Sequence, residues 1–264
     1  GGIDWCCLDR FDADPLFCRL LDARRGGFLS TSPAVPDTAT RAYLEDTNVL
    51  RTEFTTDGGR LALTDFMPVG RAPGARVHDY VNLRARGWLI RRVECVAGEV
   101  TLRATHQPSV AFGALPARLL RAQGGIVNAT GGPMLSSDLD FEIRGTYAEA
   151  AATLRAGDRR HIVIGMPGLH VTPAELDRLC DITCAFWREW IAYCRYGGAY
   201  GDNVKRTALV LKLMTYAPSG ALVAALTTSL PEEIGGERNW DYRYCWIRDS
   251  SLVLQTLSSL GYPG

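Results

Sequence analysis

The order of hydrophobic and polar positions divides the chain into two regimes. From residue 50 to 165, short β-prone runs alternate with turn dipeptides, and no 3.6-residue period connects them. Residues 49–56 and 60–69 flank Asp57-Gly58-Gly59 and read as a hairpin. A second reads as 88–96 turning at Ala97-Gly98-Glu99 into 100–106, and a third turns near Gly157-Asp158 between 151–154 and 161–165. Repeated hairpins of this kind predict a large antiparallel β-sandwich over residues 1–171.

The period changes at Thr172-Pro173-Ala174-Glu175, where Thr can cap, Pro suits the first helical position and Glu completes a capping box. Leu176, Leu179, Cys180, Thr183, Trp187, Trp190, Ile191 and Cys194 then recur at steps of three and four, which predicts about six turns with one apolar face. Gly197-Gly198-Ala199-Tyr200-Gly201 ends this helix, so 172–201 reads as a linker helix and joint. Asp202 or Asn203 can cap a second helix through Val204, Ala208, Leu209, Val210, Leu211, Leu213 and Met214. That helix is apolar nearly all round and is expected to be buried. A third helix is expected from about Ser250 to Leu260. Two helices are too few to enclose the second, so 202–264 reads as the start of a larger helical domain that the chain leaves incomplete.

Composition narrows the partners. Of 264 residues, 47% are apolar, enough for a substantial core, and 29 basic residues balance 29 acidic ones without a basic cluster. Nucleic acid is not an expected partner, and a neutral ligand fits better. No apolar run approaches the roughly 18 residues that suggest a membrane span. Eight cysteines lack the paired spacing of a zinc site, so free thiols and a cytoplasmic setting are expected, with no metal and no cofactor. Cys180 and Cys184, one helical turn apart, read as small buried apolar residues. The first residues carry neither Met nor a leader, which suggests that part of the natural N-terminus is missing and leaves secretion open.

The densest polar and aromatic cluster is Asn239-Trp240-Asp241-Tyr242-Arg243-Tyr244-Cys245-Trp246-Ile247-Arg248-Asp249. A sugar site needs this mixture: ring faces cover the apolar C–H faces of a pyranose, while Arg and Asp meet its hydroxyls. An aromatic core segment, with a surface ion pair and Asp249 as a helix N-cap, explains the same residues equally well. Glu232, Glu233 and Glu237 lie nearby on a Gly-containing turn and read as solvated, because acid/base work needs carboxyls facing each other across a bond. His78, His106, His161 and His170 have no nucleophile motif beside them and read as strand or turn residues.

The strings Tyr216-Ala217-Pro218-Ser219-Gly220-Ala221-Leu222-Val223-Ala224-Ala225 and Thr227-Thr228-Ser229-Leu230-Pro231-Glu232, followed by 239–249, resemble glycoside hydrolase family 15, the glucoamylase and trehalase family. Gly2-Ile3-Asp4-Trp5, with Pro15 and Phe17 beyond Arg10-Phe11-Asp12, is similar to the N-terminal domain of its bacterial members. The resemblance implies a β-sandwich, then a barrel of helical hairpins that is incomplete here, and inverting hydrolysis of terminal α-glucosidic bonds. It implies that Arg248 and Asp249 hold hydroxyls of the glucose at the scissile bond, and that Tyr242 and Trp246 line the same pocket. The family's two catalytic glutamates, in pairs roughly 6.5–9.5 Å apart, are expected beyond residue 264. No catalytic residue is therefore expected in this chain, and the 264 residues alone are expected to be inactive. The pattern departs at Leu226, where many relatives carry Pro or Ala. The implied substrate is a neutral oligosaccharide or disaccharide, and maltodextrin and trehalose stay open. An alternative is a non-catalytic carbohydrate-binding or interaction module, which would need an exposed aromatic platform on the sandwich. Trp5 and Trp88 are isolated and sit in β-prone stretches.

Overall fold

The runs of period two form the strands expected of them. Leu50–Thr56 and Gly59–Phe66 pair as a hairpin with Thr56 opposite Gly59, and Leu61 and Leu63 point into the core. The computed structural model describes residues 1–75, 79, 82–166 and 171–262. His78 and His170 lie outside the described residues, while His106 and His161 lie in strands.

Two antiparallel layers share one strand, Leu89–Gln107, and together make a 12-stranded sheet. One layer runs Leu119–Ala122, Gly125–Asn128, Met134–Ser137, Arg159–Gly165, the first half of the shared strand, Gly59–Phe66, Leu50–Thr56 and Thr38–Tyr43. The other joins Gly2–Ile3, Phe28–Pro33, the second half of the shared strand, Tyr147–Arg155 and Glu142–Arg144.

The shared strand corrects two sequence expectations. Residues 88–106 are not a hairpin: Leu89–Gln107 is one strand of 19 residues. Its pairing with Gly59–Phe66 slips between Cys95 and Ala97, and Gly98 takes φ +70°. The bulge adds a residue without reversing the chain, so the core-facing side chains change parity, from Val93 and Cys95 before it to Val100 and Leu102 after it. The strands Tyr147–Arg155 and Arg159–Gly165 also turn where expected but do not pair with each other. One pairs with residues 99–106 and the other with 89–94, so their turn follows the bend of the shared strand into the other layer. The Cys95 N–H donates to Asp158 O at 3.0 Å and the Ala156 N–H to Gly98 O at 2.9 Å.

The inner faces of both layers meet in one apolar core, with Leu29, Leu102 and Leu154 from one and Leu61, Val93 and Ile162 from the other. A fully buried Arg91 sits within it, its Nε 2.7 Å from Asp65 Oδ1 and its Nη2 2.9 Å from Asp65 Oδ2. Its Nη1 donates to Gly1 O and to Thr31 Oγ1, so the guanidinium lies in a closed set of acceptors.

Helix α1 (Pro173–Ile191) starts from the expected capping box: Thr172 Oγ1 accepts from the Glu175 N–H, and Glu175 Oε2 accepts from the Thr172 N–H. Leu176, Cys180 and Cys184 pack on Phe66, Trp88, Ile90 and Val163, so one layer is covered by a helix. Both cysteines are buried there, and all eight in the chain are free thiols. The second half of α1 packs Trp187, Trp190 and Ile191 with Ala208 and Leu209 of α2 (Gly201–Leu213), and Trp190 stacks on Tyr262 at 4.2 Å.

Two helix expectations are corrected. The cap of α2 is not Asp202 or Asn203 but Tyr200, left-handed at φ 65°, with no side-chain bond to the helix. Nor is α2 enclosed: only Ala208 and Leu209 are buried, because α2 rests on α1 and on the loop at 43–49 and the described residues do not surround it. The third helix, α3, spans Ile247–Ser259, three residues ahead of the expected start, and has no buried residue. Among the described residues, no helix is long and apolar enough to cross a membrane.

Candidate functional site

The motif at 239–249 passes through a turn at Tyr242 and Arg243 and a single bridge at Cys245 before entering α3. Thr215–Tyr216 pairs with Ala221–Leu222, turning through Gly220 at φ +73°, where a Cβ would be strained. The outgoing strand bridges Val223 to Cys245, and the N–H groups of Ala224 and Ala225 donate to Tyr244 O at 3.1 Å and Tyr242 O at 2.7 Å. Two of the strings that carried the resemblance are therefore adjacent in space.

Tyr242, Trp246, Arg248 and Asp249, the four residues expected to bind sugar, gather where this segment enters α3. The rings of Tyr242 and Trp246 are stacked, centroids 5.0 Å apart and 11° from parallel, and both are half-buried. Trp246 is the N-cap residue, with extended backbone and no side-chain bond to the helix. Arg248 Nη2 lies 3.2 and 3.1 Å from the two carboxylate oxygens of Asp249, with side-chain exposures of 73% and 40%. Asp249 is thus not the N-cap: it is the third residue of α3, inside the first turn, where the helix dipole favours an anion.

Exposed donors and acceptors beside stacked ring faces offer the kinds of contact that a neutral polyhydroxylated ring would use. The cation and anion cancel, the guanidinium offers donors, the carboxylate offers acceptors, and neither is saturated by the other. Glu232, Glu233 and Glu237 are exposed, as their reading as solvated residues expects. Among the described residues, no three His, Cys, Asp or Glu side chains gather as a metal ion would need. Trp88 is buried and Trp5 half-buried, so neither stands on the sandwich surface as an open platform.

The sequence reading gave Asp241 and Arg243 no separate place. Arg243 is 8% exposed, and its Nε and Nη2 grip Asp241 at 3.0 and 2.7 Å. The Arg243 guanidinium holds the Asp241 carboxyl below the usual carboxylate range, and the bond in turn raises Arg243. Burial pushes the neighbouring Cys7 thiol up, with Arg243 opposing.

Residues 198–263 match the model of Glycosyl hydrolases family 15. The chain is 35% identical to the trehalase of Thermoplasma volcanium over 99% of its own length and 42% of that protein's. It is 34% identical to the trehalase of Thermoplasma acidophilum, covering 99% of this chain and 45% of the relative. With the trehalase of Mycobacterium tuberculosis it shares 33%, over 99% of this chain and 41% of the relative. The chain thus spans less than half the length of these curated relatives. With the motif inside the matched region and the likeness to these trehalases continuing through the β layers, residues 198–263 belong to glycosyl hydrolases family 15.

Proposed function

We propose that this chain supplies the β domain and the glucose-recognising end of an enzyme that hydrolyses α,α-trehalose. One observation carries the choice of substrate: the likeness to trehalases runs over 99% of the chain, through the sandwich as well as the motif. In this reading α2 and α3 open a barrel of helical hairpins, the divisions fall at 1–171, 172–201 and 202–264, and the general acid and base are not among these residues.

The chain's own residues bind and orient. Trp246 and Tyr242 offer ring faces to the C–H face of the glucose unit. Asp249 accepts from two hydroxyls and Arg248 donates to a third oxygen. As the sugar covers the pair, the bonds move from water to a drier setting and strengthen. Fixing the glucose in this way presents its anomeric carbon to an acid that protonates the bridging oxygen, and to a base that drives water from the opposite face.

Proton NMR of the first products from trehalose and the full-length protein tests this reading. Inversion releases one β-glucose, from the attacked unit, and one α-glucose, from the leaving half. Two α-glucoses would overturn inversion. Hydrolysis of maltose and longer dextrins with trehalose untouched would overturn the substrate.

A further inference from the structure

We propose that Arg243 is a positioning residue, through which the β domain fixes the orientation of the sugar-binding end of α3; this rests on the reading of Tyr242, Trp246, Arg248 and Asp249 just given. Burial of the helix does not hold that end in place, since α3 contributes no buried residue. Its far end is tied down, with Leu257 and Leu260 against the cluster of Trp187 and Trp190 and the Arg195 N–H donating to Leu260 O at 2.8 Å. At the near end, every residue from 239 to 249 is exposed or half-buried except Arg243.

Arg243 reaches away from the sugar residues and into the N-terminal segment of the sandwich. Its Nη1 lies 3.5 Å from Phe11 O, and its guanidinium carbon lies 5.8 Å from the Trp5 ring centroid and 6.0 Å from that of Phe112. The fork on Asp241 sets the plane of the guanidinium, and Asp241 also accepts from the Arg243 N–H at 3.0 Å. Side chain and backbone are therefore fixed together. Tyr242 precedes Arg243 directly, and its carbonyl takes the bond from Ala225. Anchored on one edge by Ala224 and Ala225 and on the other by Arg243, the segment cannot rotate about its axis, so the Tyr242–Trp246 stack keeps one attitude toward Arg248 and Asp249. Phe11 adds to the same junction, meeting Tyr216 edge to face at 6.0 Å.

The experiment uses the full-length protein with Arg243→Lys, Asp241→Asn and, as reference, Arg248→Lys. Lysine keeps the charge but loses the planar fork. Kinetics on trehalose and the inhibition constant of glucose are measured, with melting temperature alongside. The expected result is a rise in both KM and the glucose inhibition constant by about tenfold or more in Arg243→Lys, because a small misplacement of binding groups has effects of this order. A purely structural ion pair would lower the melting temperature and the active fraction, leaving both constants of the folded enzyme within about twofold; that result overturns the proposal. If Arg243→Lys does not fold, Asp241→Asn decides on the same criterion, since it leaves the arginine in place and removes half of its grip. Normal kinetics in Arg248→Lys would instead remove the sugar site itself, whereas Arg248→Lys impaired with Arg243→Lys normal removes only the positioning.

Discussion

Replacing Asp249 by Asn separates a sugar-binding carboxylate from a structural one. The structural worth of this carboxylate is small. Its ion pair with Arg248 is exposed at 73% and 40%, and such pairs contribute about 0–1 kcal/mol. Its place in the first turn of α3 adds about 0.3–1 kcal/mol from the helix dipole. Losing both costs at most about 2 kcal/mol, and solvent screening brings the figure nearer 1. In a domain of about 150–250 residues 1 kcal/mol moves the melting temperature by about 2–4 °C, and in a longer protein by less. If the carboxylate accepts glucose hydroxyls, a charge-assisted bond of about 1.5–3 kcal/mol is lost, and Asn turns one acceptor into a donor. At about 1.4 kcal/mol per decade, kcat/KM on trehalose falls by one to two orders of magnitude or more. The assay is steady-state kinetics of the full-length protein, with a thermal melt on the same sample. Normal kcat/KM for Asp249→Asn would refute the reasoning, whatever the melt shows.

Three further outcomes are expected. Arg91→Met leaves Asp65 without its partner beneath the core, and denaturant unfolding should show a loss of about 3–5 kcal/mol, whereas a loss below 1 kcal/mol would mean that water reaches the site. His106 is buried with its Nδ1 unpartnered, and burial lowers its pKa to about 4 from the ordinary value of 6.5. The folded state thus keeps His106 neutral where the unfolded state takes up a proton, so stability present above pH 6.5 falls by about 3 kcal/mol as the pH drops to 4. His106→Phe, which keeps the edge-to-face contact with Phe17 at 5.7 Å, should flatten urea-unfolding stability across that window, and an unchanged slope would exclude His106 as its source. Limited proteolysis should cut at the exposed stretch 196–200, between α1 and α2, and cleavage confined to 90–160 would place the domain boundary elsewhere.

Local chemistry was legible in the sequence wherever it is decided by neighbours in the chain. The box of Thr172 and Glu175 needs only four residues, and it formed as read. The hairpin at Asp57-Gly58-Gly59 needs only a turn and two alternating flanks. The closeness of Tyr242, Trp246, Arg248 and Asp249 was written into an eight-residue stretch that no fold could scatter. Ala97-Gly98-Glu99 was misread because a glycine at positive φ serves a reversal and a bulge alike, and the sequence does not record which partner strand takes the next hydrogen bond. Apolar residues all round α2 suggested enclosure, but what covers a helix is set by elements distant in sequence.

What the sequence by itself determined is the change from strand to helix at Thr172, the turns at 57–59 and near 157–158, and the chemical inventory of the 239–249 motif, because propensity, capping and alternation act over a few residues. Tertiary structure alone decided that Leu89–Gln107 serves both layers, that Arg91 belongs to the core, and that Arg243 reaches Phe11 across 232 positions of chain. A long charged side chain can be solvated or buried with equal local ease, and only the partner that the fold delivers, Asp65 for one arginine and the N-terminal segment for the other, makes burial the lower free energy.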